Sequence, residues 1–186
     1  MANIVIMASK RGTNMEAVVT ACKNTIIKGN VVAVISNNKD AEVLGRARRL
    51  GIKPITIDPN NDMELNDTLR TLKADLVVLA GYLKKIKPST VREFENKIIN
   101  IHPSLLPKYG GEGMYGPAVH EAVMANHETH TGVTIHYVNE QYDEGDVIDQ
   151  LSIPIYEDDN VDTLSERIRP YEHMLLVHTI SRLLSN

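Results

Sequence analysis

Leu76-Val77-Val78-Leu79-Ala80-Gly81 decides how this chain folds. Five apolar residues in a row, with no polar alternation, read as a strand buried on both faces. Such strands belong to parallel sheets with helices on either side. Gly81 closes the run. Toward the N-terminus the same signal recurs in Asn3–Ala8, Val31–Ile35 and the short Pro54–Ile57. Between these strands lie helical patterns. Met15–Lys28 carries apolar spacing at Met15, Val18, Val19 and Cys22, with Gly29 as its expected stop; Ala41–Leu50 is ended by Gly51; Asp62–Lys73 is a third, weaker helix. Toward the C-terminus, Pro88–Phe94 reads as a helix with proline in its first turn, and Lys97–Asn100 as a fifth strand. Strands alternating with helices imply an α/β fold whose crossovers are right-handed.

The pattern changes after residue 100. A loop rich in Gly and Pro fills 101–116, a helix follows over Pro117–Asn126, and Thr131–Val138 and Val147–Ile155 read as two β-rich runs joined by a polar turn. That pair is expected to be antiparallel. A final amphipathic helix, Val161–Leu184, should bend or break at Pro170. The expected architecture is an open, twisted, mostly parallel sheet of about seven strands with helices on both faces and mixed or antiparallel last strands. With no repeat and no linker, residues 1–186 read as one domain.

Composition narrows the class of function. A formal net charge of −4 argues against a general nucleic-acid binder, which presents a basic face. The single Cys22 excludes an internal disulfide and a cysteine-rich zinc site, and it reads as a buried structural thiol in the first helix. No run approaches the roughly 18 apolar residues of a membrane span, and Met1–Ala8 lacks the basic start of a signal peptide, so a cytoplasmic protein is expected. His127, His130 and His136 are close in sequence, but no further ligand motif joins them and no metal is expected. Arg46, Arg48 and Arg49 read as a solvated helix face.

Chemistry concentrates in Asn100-Ile101-His102-Pro103. In extended backbone, residues i and i+2 share a face, so an amide and an imidazole look into one cleft where the fifth strand ends. Pro103 stops the ladder there, having no N–H to donate. An amide N–H can stabilise an oxyanion, and an imidazole can handle a proton near neutral pH. A carboxylate beside that imidazole would raise its pKa, and Asp143, in Tyr142-Asp143-Glu144-Gly145, is the candidate. After the first strand, Gly12-Thr13-Asn14 opens a helix whose free N–H groups attract anions. This turn is neither a P-loop nor a G-x-G-x-x-G fingerprint.

Taken together, Val77-Val78-Leu79-Ala80-Gly81-Tyr82, the run Asn100-Ile101-His102-Pro103-Ser104-Leu105-Leu106-Pro107-Lys108-Tyr109, and Tyr142-Asp143-Glu144-Gly145 resemble the folate-dependent formyltransferases, and the spacing between them agrees. The resemblance covers nearly the whole chain and implies the Rossmann-like formyltransferase fold. It implies transfer of the formyl group of 10-formyltetrahydrofolate, a co-substrate, to an amine, with Asn100, His102 and Asp143 as the catalytic set and no metal. The turn at Gly12, Thr13 and Asn14 tilts the acceptor toward glycinamide ribonucleotide, in purine synthesis. On that resemblance Gly12, Thr13, Asn14, Pro103 and Glu172 hold the nucleotide. The folate lies against Leu83, Lys84, Lys85, Ile86, Asn100, Asn139, Glu140, Gln141, Tyr142 and Asp143. Residues 1–100 then form the nucleotide-phosphate half and 101–186 the catalytic and folate half. Partners are small molecules, with no nucleic acid and no membrane, and the family is compatible with a monomer or a homodimer.

Two departures stand out. Lys10 and Arg11 occupy positions of the phosphate turn where the family usually has glycine and a small residue. The segment Asp58–Glu64 lacks the arginine that family members carry there for substrate; Arg70 is the nearest that could replace it. Four rival readings follow. A 10-formyltetrahydrofolate hydrolase would use the same triad, a formyltransferase acting on methionyl-tRNA would call for a second, basic domain to hold RNA, a formyltransferase for a sugar nucleotide would use another amine, and a silent folate- or nucleotide-binding module would have little use for the triad. The glycine-rich loop Gly110–Gly116 is expected to fold over the substrates.

Overall fold

In a computed structural model that describes residues 1–185, one seven-stranded sheet has the order β3-β2-β1-β4-β5-β6-β7. The strands are β1 (Ala2–Met7), β2 (Gly29–Ser36), β3 (Lys53–Thr56), β4 (Leu76–Leu79), β5 (Ile98–His102), β6 (His130–Tyr137) and β7 (Val147–Pro154). The helices are α1 (Thr13–Lys23), α2 (Glu42–Arg49), α3 (Asp62–Thr71), α4 (Pro88–Glu93), α5 (Pro117–Ala125) and α6 (Val161–Leu183). The first five strands are parallel, and β6 and β7 are antiparallel.

The unbroken apolar runs have a direct cause. Alternate residues of each inner strand enter two separate cores. Ile4, Ile6, Val78, Ile99 and Ile101 face α1, α2, α5 and α6, where Met15, Val18, Leu44, Val119, Leu164, Ile168 and Leu176 meet them. Val5, Met7, Val77, Leu79 and Ile98 face α3 and α4, against Leu65, Leu69, Val91 and Phe94. Each such side chain is nearly fully buried, worth about 1.5–3 kcal/mol apiece relative to exposure.

Three boundaries differ from those read in the sequence. Helix α1 stops at Lys23, not Lys28. Asn24 caps it and Thr25 takes φ +59°, after which Gly29 begins β2 instead of ending the helix. A Cβ at Gly29 would lie 3.0 Å from the Ala2 carbonyl, so the glycine serves the close approach of β1. Strand β5 runs on through His102, because β6 pairs with it as far as His102↔Thr134. Helix α6 passes through Pro170 unbroken. Pro170 and Glu166, whose carbonyl loses its i+4 donor, are both on the exposed face, where water can take that role. Cys22 is half-buried, with its thiol pushed up by desolvation. Arg46 is not simply solvated: it bridges to Glu16 of α1 at 3.0 Å.

The strand order reverses direction of growth between β1 and β4, and open α/β sheets bind ligands beyond the carboxyl ends of the strands at such a switch point. The loops after β1, β4 and β5 all emerge there.

Candidate active site

A cavity of about 360 Å³ occupies this position. One wall is the turn after β1. Gly12 caps α1 with φ +81°, and a Cβ there would sit 2.3 Å from Val43 Cγ2 and 3.2 Å from Val43 Cα. Only glycine fits, because Val43 N–H also donates to the Lys10 carbonyl and holds α2 against the turn. Thr13 Oγ1 lies 3.2 Å from His173 Nε2 of α6, and Asn14 Oδ1 is buried with no partner among the described residues. Lys10 and Arg11 line the same wall, with Arg169 and Glu172 of α6. Glu172 is half-buried on this wall, and desolvation pushes its carboxyl up to about 7 against the pull of Arg169.

The opposite wall comes from the loop after β4. Ser9 Oγ accepts from Leu83 N–H at 2.9 Å and donates to Asn37 Oδ1 at 2.6 Å, fixing the loop to the end of β1. Leu83, Lys84, Lys85 and Ile86 line the cavity, as do Val138, Asn139, Gln141 and Tyr142 from the turn after β6. Lys85 Nζ stands 5.2 Å from the centre of the Tyr142 ring, joining the two segments by a cation–π contact. Glu140 does not line the cavity. It turns outward and pairs with Arg92 at 3.0 Å.

Between the walls lie Asn100, His102 and Asp143. Asn100 Nδ2 donates to His136 Nε2 at 3.1 Å and reaches Asp143 Oδ1 at 3.4 Å; His136 Nδ1 donates to the Tyr137 carbonyl at 2.9 Å. The pairing Asn100↔His136 across β5 and β6 creates this contact. His102 is buried. Its Nε2–H donates to the Tyr109 carbonyl at 2.8 Å, leaving Nδ1 toward Asp143 Oδ2 at 3.7 Å. Burial lowers the His102 pKa below its ordinary value, and Asp143 and the Tyr109 carbonyl only partly offset this. The neighbouring carboxylate therefore does not leave this imidazole with a raised pKa, as its sequence context suggests; desolvation at the strand end outweighs it. For Asp143 burial acts upward, but His136, His102 and the Gly111 N–H together bring the carboxyl below the usual range. Asp143 is thus anionic and His102 neutral at pH 7, with Asp143 held at φ +54°.

Residues 104–107 are fixed. Thr134 Oγ1 accepts from Leu106 N–H and donates to the Ser104 carbonyl, while Gln150 Nε2 donates to the Leu106 carbonyl. Beyond them, Gly111, Gly113 and Gly116 have positive φ, with open space where a Cβ would sit. Gly111 N–H donates to Asp143 Oδ2 at 2.9 Å.

Arg70 lies away from the cavity, on α3, bound to Asp67 and Glu93. The cation that α6 supplies to the cleft is Arg169. His136, Arg169 and His120 line the site without having been singled out for it in the sequence. His136 is recoverable only by aligning β6 against β5. Of the three histidines weighed as metal ligands, His136 is in this network, whereas His127 and His130 are exposed.

The formyl transferase family model matches residues 2–180. A phosphoribosylglycinamide formyltransferase of Haemophilus influenzae is 37% identical, over 94% of this chain and 84% of its own. A chloroplastic enzyme of the same name from Vigna unguiculata is also 37% identical over 97% of this chain, which spans 60% of that relative's length. The solved glycinamide ribonucleotide transformylase 1 of Symbiobacterium toebii superposes with a TM-score of 0.92 at 34% identity, covering 100% of this chain and 88% of that one.

Proposed function

This chain belongs to the formyl transferase family, and we propose that it transfers the formyl group of 10-formyltetrahydrofolate to the amine of glycinamide ribonucleotide, as phosphoribosylglycinamide formyltransferases do. The observation that carries the acceptor is the juxtaposition, in one cleft, of the Asn100–His102–Asp143 set with the Gly12–Asn14 turn and Glu172. A hydrolase needs no nucleotide wall, and a silent binding module has no use for a neutral imidazole beside an ionised carboxylate.

The folate side fits a flat heterocycle. Leu83, Ile86 and Val138 give it apolar surface, and the backbone of 83–86 and 139–143 gives it polar edges. When bound there, the folate supplies the activated formyl group. The nucleotide phosphate rests on the N–H groups of Gly12, Thr13 and Asn14, with Lys10, Arg11 and Arg169 adding charge. Pro103 borders the acceptor's path.

As the amine attacks the formyl carbon, His102 Nδ1 takes the proton that the new C–N bond makes acidic. The imidazole is thus neutral before attack and charged when the oxyanion exists. It then donates to that oxygen alongside the Asn100 Nδ2–H that otherwise makes the long contact to Asp143 Oδ1, each donor worth roughly 3 kcal/mol in comparable sites. Asp143 holds the imidazolium, which returns its proton to the departing nitrogen.

A spectroscopic assay of tetrahydrofolate formation tests the proposal. Turnover that requires glycinamide ribonucleotide is expected; turnover without it would identify a hydrolase, and turnover only with a sugar nucleotide would change the acceptor.

Two further results are expected. Ribose hydroxyls donate to the ionised form of Glu172, so binding lowers its pKa from about 7 and releases a proton. Nucleotide affinity should therefore weaken below pH 7 and level off above it. Titration calorimetry in buffers of different ionisation heat would show the released proton, and Glu172→Gln should abolish both effects. Unchanged affinity from pH 6 to 8 would remove Glu172 from the ribose site. Second, amide hydrogens of Gly110–Gly116 should exchange quickly in the free protein and slow at least several-fold with both ligands bound. Equal rates in the two states would show that this loop does not close.

A further inference from the structure

Of the three imidazoles that line the cleft, His102 carries the reaction above and His136 holds Asn100, whereas His120 has no part in either. It lies in the first turns of α5, directly after the glycine-rich loop, and it lines the cavity while only 5% exposed. Its Nδ1 is sealed from solvent and makes no hydrogen bond among the described residues. A buried polar atom without a partner costs about 1–3 kcal/mol, a cost a fold carries where a ligand completes the bond. Nothing else on α5 provides one: the capping residue Gly116 has no side chain, and Pro117 has no N–H. The site's own bonds are distributed elsewhere, with His102 on the Tyr109 carbonyl and Asn100 on His136.

Its position selects which ligand. Helix α5 packs against α6, the helix that carries Arg169 and Glu172 on the nucleotide wall. On its other side His120 is near enough to His102 for a charge on that ring to disfavour one on His120, adding to the effect of burial. It therefore lies between the nucleotide wall and the reacting centre. What belongs between a bound ribose phosphate and the attacked carbon is the amine-bearing end of the acceptor, a primary amine next to a carboxamide.

We propose that His120 hydrogen-bonds this amine–carboxamide end and so orients the nucleophile toward the centre between Asn100 and His102. This rests on the acceptor reading above. His120 positions the acceptor and transfers no proton in the reaction.

The test measures steady-state constants for glycinamide ribonucleotide and the folate dissociation constant, by fluorescence quenching, in His120→Ala and His120→Asn. Ala should lower kcat/KM for the nucleotide about tenfold, the loss of one hydrogen bond, with folate binding unchanged within twofold. Asn, which keeps a donor and an acceptor near Nδ1, should recover most of that loss. Intact folate binding shows that each variant is folded. An Ala variant with full nucleotide kcat/KM would overturn the proposal. So would equal loss toward both substrates, or an Asn variant no better than Ala, since these mean a packing role. Parent protein with no nucleotide-dependent turnover would sink the acceptor reading and this inference together; turnover with an indifferent His120 sinks the inference alone.

Discussion

His102→Ala should lower kcat by about 10³-fold, within the range for loss of a positioned acid–base group, while folate binding changes little. The side chain is buried at the end of β5 and touches the Tyr109 carbonyl and Asp143, so its removal leaves a carbonyl unpaired without breaking either core. The pH profile carries the sharper information. Because burial lowers the His102 pKa, the neutral form prevails at pH 7 and is lost as pH falls through that lowered value. With nucleotide saturating, so that Glu172 is already engaged, kcat/KM for the folate should rise with pH along a limb below 6.5 and then level. The residual activity of the alanine variant should lack that limb. A profile that falls as pH rises through neutrality would mean that the resting imidazole is charged, and the order of proton transfers proposed above would be wrong. Retention of more than a tenth of wild-type kcat in His102→Ala would remove this residue from the chemistry.

Gly145→Ala should be nearly as damaging without touching a reacting group. A Cβ at Gly145 would stand 1.6 Å from the Tyr137 carbonyl oxygen and 2.7 Å from its carbon. Both are backbone atoms of β6, and Tyr137 N–H is itself bound to the Asp146 carbonyl. No side-chain rotation relieves this clash, so the turn must leave the strand and carry Asp143 with it. Overpacking of this kind costs about 1–3 kcal/mol, which lowers Tm by roughly 2–12 °C in a chain of this size. We expect kcat to fall on the order of 10²-fold, because the carboxylate that holds the charged His102 is displaced. A Gly145→Ala protein with wild-type kcat and Tm would show that the turn has a looser seat on β6 than these contacts describe.

The sequence was most legible where burial is two-sided. Leu76–Ala80 and Asn3–Ala8 read correctly because both faces of those strands enter a core, leaving no polar interruption. The end of α1 did not, because Ile26 and Ile27 continue the helical spacing while Thr25 has already turned the backbone left-handed. The last helix read correctly in its span, Val161–Leu183, and Pro170 does not interrupt it, because a proline on the water side of a long helix need not end it. In the cleft, Asn100 and His102 were legible from their two-residue spacing on one strand. Asp143 was a candidate from its turn, and only the fold brings it within reach. His136 and His120 were not legible as site residues. One depends on the register of β6 against β5 and the other on a helix that follows an irregular loop, and neither relation has a periodicity to read.

One consequence follows from how the loop is tied to the two ionisable groups at the centre. The Tyr109 carbonyl holds His102 Nε2–H, and the Gly111 N–H holds Asp143 Oδ2. Two residues apart on the same stretch of main chain, these groups act as reporters of a single coordinate. If 109–111 swings away, the imidazole loses the acceptor that fixes its tautomer, and the carboxylate loses a donor that keeps it ionised. The seating of residues 109–111 and the protonation of these two groups are therefore linked, and their titration in the free protein would report how firmly that segment is held.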